Sequence, residues 1–428
     1  MLLNKAERKS LMTYSTTNTY KMKREILNFA RIISSGLYRP EQKFFGDILY
    51  GMLASGSCLL TDIAQRLNED TRKSNTVERL SRHLTRGIPQ KAMAAYLRTI
   101  RKWLPQKPVI HIDDSDVVKP EGKHFESLGW VRDGSASTKD KCVIQKGYHV
   151  TEACALTTSG HPVSIFSRIH SSEEKNFTSI NNITFAAMER GVKLCGKATF
   201  VMDRGYDDNK MFLKLDDLGQ EYVIRLTKKR KLYHHNRWVS AAELCARRKG
   251  KVKMKLFYRG AEHTAYLSHV KVQITASKKE VYLVLVYGIT ENPMMLVTNR
   301  PICSKEDVLE TARLYFSRWR IEEYFRSKKD VFDFENFRVR KLTAINALNF
   351  FIGVCMAFLG LITMKKPTNK LRCAVYEAAD PIRKRVRFHY YRVASGIREL
   401  LRHAKTGIRD WFKPKRTNQN QLRFSLTA

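Results

Sequence analysis

The chain has 428 residues, of which 43% are hydrophobic and 28% charged, an ordinary globular composition that is enough for roughly two to four structural units. Lysine and arginine number 78 against 41 aspartates and glutamates, which gives a formal charge of +37. Because this charge is spread along the chain, we expect an extended polyanion as partner. DNA or RNA is the first candidate and an anionic membrane surface the second. The eight cysteines have no CxxC or Cys/His spacing, which excludes a zinc-ligand or disulfide framework and indicates a reducing cytosol.

Residues 1–105 are predicted to form a helical DNA-binding region, because no sustained alternation of polar and apolar residues occurs there. Two amphipathic segments flank a polar turn within residues 59–87. They fit a helix-turn-helix and fit two helices of a small bundle at least as well, since nothing marks a recognition helix. The basic segment 5–24 is a candidate for phosphate contact. The N-terminus lacks the pattern of a signal peptide, so we expect a cytoplasmic protein.

Strand and helix patterns alternate from residue 106 to residue 227, which predicts the first part of an α/β core. An apolar strand at 109–112 ends at Asp113 and Asp114, and a second one at 198–202 ends at Asp203. The other predicted elements are strands at 143–156, 161–166 and 221–226, and helices at 173–193 and 208–217. His111 and the other strand or turn histidines have no Cys or Ser partner at a catalytic spacing, and we interpret them as core or surface residues.

Strand-like runs at 252–260, 263–275 and 281–289 predict a β-rich insertion over residues 228–293, with basic residues on its exposed faces. The second part of the core, 294–365, begins with a strand at 294–298 and a long helix at 304–334 that contains no Gly or Pro. The apolar stretch 347–364 is interpreted as a buried core helix and not as a membrane span, because its length is borderline for a bilayer. Residues 366–428 are predicted to be a basic helical region with a polar tail from Thr417.

Three carboxylates are candidates for a common site. Asp113 and Asp203 follow apolar strands, where side chains leave the sheet and can meet Glu322 on a packed helix. Three carboxylates suit two Mg²⁺ or Mn²⁺ ions about 3.5–4 Å apart, which promote cleavage or joining of a phosphodiester strand. Strand-end aspartates are equally often helix caps or turn formers. Asp114 is a rival for the first position, since neighbouring strand residues point to opposite faces.

Basic and aromatic residues accompany Glu322 on the predicted helix. Tyr315, Arg318, Glu322, Arg326 and Lys329 follow one another at spacings of three or four residues and therefore share one face. By itself this pattern is more typical of a surface helix with i,i+4 ion pairs. The spacing Tyr315-x2-Arg318-x3-Glu322-x6-Lys329, however, resembles the Tyr-Arg-Glu-Lys signature of DDE transposases of bacterial insertion sequences, in the insertion-sequence-four family.

The aspartate segments agree with this resemblance. The run Asp203-Arg-Gly-Tyr-Asp is similar to the second catalytic aspartate motif of the family, and Asp113-x-Ser115 is similar to the first. The resemblance covers most of residues 105–365 and implies an RNase H-like catalytic core that a β-stranded insertion interrupts between Asp203 and Glu322. It also implies that Asp113, Asp203 and Glu322 are catalytic and bind two Mg²⁺ or Mn²⁺ ions.

The resemblance further implies how the protein handles DNA. The partners would be double-stranded transposon ends with terminal inverted repeats and target DNA, bound by a homodimer at the bacterial nucleoid. The residues implied in DNA binding are Tyr315, Arg318, Arg326, Lys329 and Arg225, with a basic track of Lys228, Lys229, Arg230 and Lys231 that is equally a solvated turn. Met294 stands where some relatives have a tryptophan that stacks on a flipped base, which weakens the case for a hairpin intermediate.

The sequence therefore predicts a metal-dependent DNA transposase that cleaves transposon ends and transfers them into target DNA. A related RNase H-like nuclease or resolvase that cuts without joining is the alternative in the same chemical class. An inactive DNA-binding regulator derived from a transposase is the alternative from another class, although the presence of all three carboxylates argues against it.

Overall fold

A computed structural model describes residues 5–138, 140–258, 261–274, 279–381, 390–402, 404 and 406–409, with side chains from residue 17 onward. The described residues of the first hundred are mainly helical, as predicted. The helices are α1 (Lys5–Ile33), α2 (Arg39–Ser55), α3 (Leu60–Leu67), α4 (Lys73–Thr85) and α5 (Gln90–Arg101). Helices α3 and α4 confirm the two predicted segments around a polar turn, while their role in DNA binding stays a prediction.

The core sheet begins with four antiparallel strands and continues with two strands that run parallel to the first. Its elements are β1 (Val109–Val118), β2 (Gly129–Arg132), β3 (Ile144–Leu156), β4 (Pro162–His170), α6 (Ile180–Cys195), β5 (Thr199–Met202), α7 (Asn209–Asp217) and β6 (Glu221–Arg225). Strand β3 pairs antiparallel with β1, β2 and β4, whereas β5 is parallel to β1 and β6 is parallel to β5. A 3₁₀ turn, Arg204–Tyr206, follows β5 directly.

The predicted insertion extends this sheet and does not form a separate layer. Its elements are β7 (Lys231–His234), β8 (Arg237–Ser240), α8 (Ala241–Ala246), β9 (Val252–Tyr258), β10 (Ala261–Ile274) and β11 (Glu280–Tyr287), and β12 (Met294–Thr298) returns to the core. Among the described residues the strand order is β2-β3-β1-β5-β6-β12-β11-β10-β7-β8, with β4 beside β3 and β9 beside β10. Strand β12 joins the two parts because it pairs with both β6 and β11.

The described chain after β12 forms helices, some of which pack on the sheet. They are α9 (Lys305–Phe316), α10 (Trp319–Phe332), α11 (Leu342–Met364), α12 (Lys370–Ala378) and α13 (Tyr390–Arg402). Helix α9 packs along one face from β5 to β9, through Val308, Ala312 and Tyr315. The predicted fold class is therefore confirmed: an α/β protein with a β-stranded insertion and helical regions at both ends. The domain boundaries stay predictions, and the polar tail from Thr417 lies outside the described residues.

Helix α11 has the length and apolar composition of a membrane span, but it lies in the protein interior. In the described part of the chain it is the one unbroken helix that meets these criteria, and 83% of its most apolar window is buried inside the protein. Phe351, Ile352 and Phe358 are fully buried on it. This agrees with the interpretation of the stretch as a core helix, since a core helix is apolar on all sides.

Several predicted boundaries are wrong. Strand β1 does not end at Ile112 but continues to Val118, because β3 pairs with it from Ala155 through Gly147. Helix α6 begins at Ile180 and not at residue 173, since the Ser179 side chain caps it by accepting from the Asn182 N–H. Strand β2 and the β7–β8 hairpin were not predicted; both are four-residue strands, too short for a clear alternation.

A buried ion pair links α10 to the sheet. Lys328 on α10 donates to Glu152 on β3 at 2.9 Å, and both side chains are at most 1% exposed. Lys328 also donates to Asn349 on α11 at 2.6 Å, and Glu152 accepts from Ser164 and Ser167 on β4. The network is well satisfied, so removal of one partner leaves a buried charge with fewer stabilising contacts.

We expect Lys328→Met to destabilise the protein by about 3–5 kcal/mol, because it leaves the Glu152 carboxylate buried and unpaired. The double variant Lys328→Met/Glu152→Gln should recover part of this loss. Chemical denaturation followed by circular dichroism measures the free energy of unfolding. Lys271→Met, which breaks the exposed pair with Glu280, is the matched control and should have little effect. Equal losses of stability in Lys328→Met and Lys271→Met would contradict the role of burial.

Candidate catalytic site

Side-chain alternation along three neighbouring strands places polar residues on the face that α9 covers. On β5 and β6, Val201 and Val223 are buried against α9, so Asp203 and Arg225, each two residues further on, point to the same face. On β1, Ile110 and Ile112 belong to the core on the other face. The odd-numbered residues His111 and Asp113 therefore point toward the α9 side.

This alternation separates the two rival aspartates. Asp113 Oδ2 accepts from Arg318 Nη1 at 2.7 Å, on the α9 side of the sheet. Asp114 lies on the other face, where Oδ1 accepts from Thr151 Oγ1 at 2.5 Å and Oδ2 from the Tyr206 hydroxyl at 2.9 Å. Both Asp114 oxygens thus contact neutral groups of the protein, and Asp113 is the one that faces the predicted signature residues.

The predicted single helix over 304–334 is wrong, because the chain forms two helices with a break at Ser317 and Arg318. Ser317 Oγ donates to the Leu314 carbonyl at 2.6 Å and accepts from His111 Nε2 at 2.8 Å. At the break the Arg318, Arg320 and Ile321 N–H groups bond three residues back. A serine that bonds the backbone of its own helix weakens the helix locally, and the three-residue hydrogen bonds show a tighter turn at this point.

Arg318 bridges two of the three candidate carboxylates. Its guanidinium donates to Asp113 at 2.7 Å and also to Glu322. Arg318 and Asp113 are 15% and 20% exposed, while Glu322 is 51% exposed. Burial lowers the pKa of Arg318, but Asp113, Glu322 and Asp203 together raise it above its ordinary value.

The third carboxylate contacts the signature tyrosine. The Tyr315 hydroxyl donates to Asp203 Oδ1 at 3.0 Å. Burial raises the pKa of Asp203, yet Arg318, the Arg204 N–H, Tyr315 and Arg225 together lower it below the usual aspartate value. Burial chiefly raises the pKa of Tyr315, which keeps its hydroxyl protonated as a donor. Arg225 influences the pKa of both groups, so its guanidinium lies close to Tyr315 and Asp203.

Asp113 has an unusual pKa for an aspartate. Burial raises it to about 7, with Arg318 opposing the shift and Asp203, Asp114 and Glu322 adding to it. The like-charge effects show that the three predicted acids share one electrostatic environment. Perturbed carboxylates of this kind are common at functional sites.

The chemistry of the donor set fits hard divalent cations. Asp113, Asp203 and Glu322 offer carboxylate oxygens, the ligands that Mg²⁺ and Mn²⁺ prefer. Within the residues described, however, no three His, Cys, Asp or Glu side chains form a group already shaped to hold a metal ion. The Arg318 guanidinium donates to both Asp113 and Glu322, so these two carboxylates are paired with a cation of the protein.

The other predicted DNA-binding residues lie further along α10. Arg326 is 65% exposed and pairs with Glu323, and Lys329 pairs with Glu335 at 2.7 Å. The structure brings Tyr315, Arg318 and Arg225 to the carboxylates but shows no contact of Arg326 or Lys329 with these acids among the described residues. Their predicted contact with DNA is not tested by this geometry.

One residue of the basic track after β6 stabilises the local loop structure and is not free in solvent. Arg230 is 11% exposed and donates to Asp207 at 2.7 Å, and Asp207 also accepts from the Thr227 N–H and hydroxyl. Arg230 is therefore a structural residue in this arrangement and not a solvated member of the track. Met294 is 1% exposed within β12, so it offers no surface on which a base could stack.

The sequence predicted the three acids together with Arg318 and Tyr315, but it did not predict the contact that joins β1 to the helix break. His111 was predicted to be a core or surface residue, and it is fully buried. Its contact with Ser317 joins positions 206 residues apart at the helix break. Burial lowers the pKa of His111 to about 3, so the ring is neutral and donates through Nε2. No local spacing pattern could reveal this pair.

The pKa of Asp113 gives a pH test. Because it is about 7 in the folded protein and near 4 in an unfolded chain, the folded state binds more protons in this range. The contribution of Asp113 to stability is therefore largest below pH ~4 and is lost as the pH rises to ~7. Relative to the wild type, Asp113→Asn should gain thermal stability across this window, measured as Tm against pH.

Glu306→Gln, at an exposed acid of α9 that pairs with Arg313, is the control and should follow the wild-type pH profile. A constant difference in Tm between Asp113→Asn and the wild type from pH 4 to 7.5 would contradict the raised pKa.

Comparison with protein families agrees with this geometry. Residues 105–359, well over half of the chain, match the family model described as transposase DDE domain. The match includes Asp113, Asp203 and Glu322, the whole insertion and most of α11. It is consistent with an RNase H-like fold for the core sheet. No curated protein matches the chain.

Proposed function

The chain belongs to the family of proteins with a transposase DDE domain, and from this we propose that it is a cut-and-paste DNA transposase of the insertion-sequence-four type. The observation that carries the proposal is the bridge from Arg318 to Asp113 and Glu322. It joins the Tyr-Arg-Glu-Lys signature to the first aspartate, and the Tyr315–Asp203 bond joins it to the second.

We assign the catalytic acids as Asp113, Asp203 and Glu322. Two Mg²⁺ or Mn²⁺ ions held by these carboxylates would activate the attacking oxygen and stabilise the leaving oxygen of a phosphoryl transfer. The choice of Asp113 over Asp114 is supported by its orientation toward Arg318, whereas Asp114 contacts Thr151 and Tyr206 on the opposite face.

The protein's own cations have a second role in the proposal. Arg318 and Arg225 lie beside the acids, and Tyr315 supplies a protonated hydroxyl there. A guanidinium binds phosphate oxygens with two parallel hydrogen bonds, so Arg318 can exchange its carboxylate partners for a DNA phosphate. Arg326 and Lys329 would contact the DNA further along α10. The working form would be a homodimer on paired transposon ends in the bacterial cytoplasm.

Glu322→Gln should abolish metal-dependent cleavage of the element's own ends, lowering the rate by more than about 100-fold, because it removes a charged metal ligand. DNA binding, measured by gel shift in EDTA, should stay nearly unchanged. The matched control is Glu323→Gln, the adjacent residue that pairs with Arg326. Cleavage by Glu322→Gln at the wild-type rate would remove Glu322 from the mechanism.

A joining assay separates a transposase from a nuclease or resolvase. We expect the wild-type protein to insert a pre-cut transposon end into a plasmid in the presence of Mg²⁺, since the same site can use a 3′-hydroxyl in place of water as the attacking group. Cleavage without any joining would favour the nuclease. Binding without cleavage or joining would favour the inactive regulator.

A further inference from the structure

The β9–β10 hairpin of the insertion has one face packed on α9 and one face in solvent. Met254 and Ala265, which are opposite each other in the ladder, are buried toward α9. On the same side the Tyr258 ring lies 5.8 Å from Phe316, the last residue of α9. Side chains alternate along both strands, so Lys253, Lys255, Phe257 and Tyr266 point the other way, and we call their surface the outer hairpin face.

The outer hairpin face is strongly basic. Lys253 and Lys255 are exposed, and exposed Arg247, Lys249 and Lys251 precede them in the chain. Among the described residues no ion pair involves any of these five cations. The acid on this side is Glu262, which is opposite Phe257 in the ladder. The face and the segment that leads into it therefore have an excess of positive charge that no ion pair of the described residues neutralises.

Two aromatic rings lie among these cations. Phe257 is 42% exposed and Tyr266 is 45% exposed, and Tyr266 is directly opposite Lys253. Lysines on an edge strand commonly prevent edge-to-edge pairing of sheets. That explanation does not account for exposed aromatic rings, which promote association. A basic surface with interleaved aromatic side chains is instead typical of nucleic-acid binding, where on duplex DNA the cations contact phosphates and the aromatic side chains contact the sugar-phosphate backbone.

We propose that the outer hairpin face is a second DNA-binding surface, which holds duplex DNA on the side of the insertion that points away from α9. This inference rests on the proposed function. The hairpin is connected to the site through α9, since Tyr258 contacts Phe316 and the neighbouring Tyr315 donates to Asp203. The face contributes to DNA affinity and has no part in the chemical step.

The double variant Lys253→Gln/Lys255→Gln tests the charged part. Its affinity for a duplex carrying the element end, measured by fluorescence anisotropy in EDTA, should fall by about 10-fold at ~0.15 M salt. The slope of log K against log salt should become shallower by about 2, since each lost phosphate contact removes ~0.9. Lys271→Gln is the control, because Lys271 is exposed on the same strand but on the opposite face, where it pairs with Glu280.

The variant Phe257→Ser/Tyr266→Ser tests the aromatic part. We expect affinity to fall by roughly 10-fold with an unchanged salt slope, because a ring contact releases no counterions. Circular dichroism should show the wild-type Tm, since both side chains point outward. Acetylation of wild-type protein gives an independent measurement: bound duplex should protect Lys253 and Lys255 but not Lys271.

The outcomes separate this proposal from the function on which it rests. A wild-type protein that does not bind duplex DNA would overturn both. Normal binding and cleavage by the wild type, with unchanged affinity and slope in both double variants, would overturn the outer hairpin face alone. An equal loss in Lys271→Gln would also overturn it, because net charge and not this face would then set the affinity.

Discussion

A single partly buried guanidinium, that of Arg318, arranges the site. Arg318 contacts Asp113 on the sheet and Glu322 on the next turn of its own helix. Three carboxylates in one partly buried region repel one another, and each loses hydration energy there. A cation among them offsets both costs, so the acids can share the site while some of the carboxylates stay ionised. The raised pKa of Asp113 shows that the compensation is incomplete.

The position of Arg318 depends on the break between α9 and α10. An unbroken helix would carry Tyr315, Arg318 and Glu322 on one straight face. Ser317 instead bonds the Leu314 carbonyl and accepts from the neutral, fully buried ring of His111. Because His111 and Asp113 lie on the same face of β1, one strand both anchors the break and contributes the first acid. The buried Lys328–Glu152 pair then fixes the far side of α10 to β3.

The insertion and the core belong to one sheet, and the same helix supports both. Strand β12 pairs with β6 of the core and with β11 of the insertion, and α9 packs across both. The strand that ends at Arg225 and the hairpin with the outer face therefore share one supporting helix. Because α9 packs on both parts, the position of a surface on the insertion is fixed relative to acids that are distant in sequence.

The sequence by itself determined the α/β class, the insertion, the buried apolar helix and the identity of the candidate acids, because alternation, composition and motif spacing are local properties. It left Asp113 and Asp114 as rivals and predicted one long helix over 304–334. Both faces of β1 are covered, so polarity alone cannot tell which aspartate points to the site. Only the tertiary structure decided this, since the deciding contacts join Arg318 to Asp113 and Ser317 to His111 across more than two hundred residues.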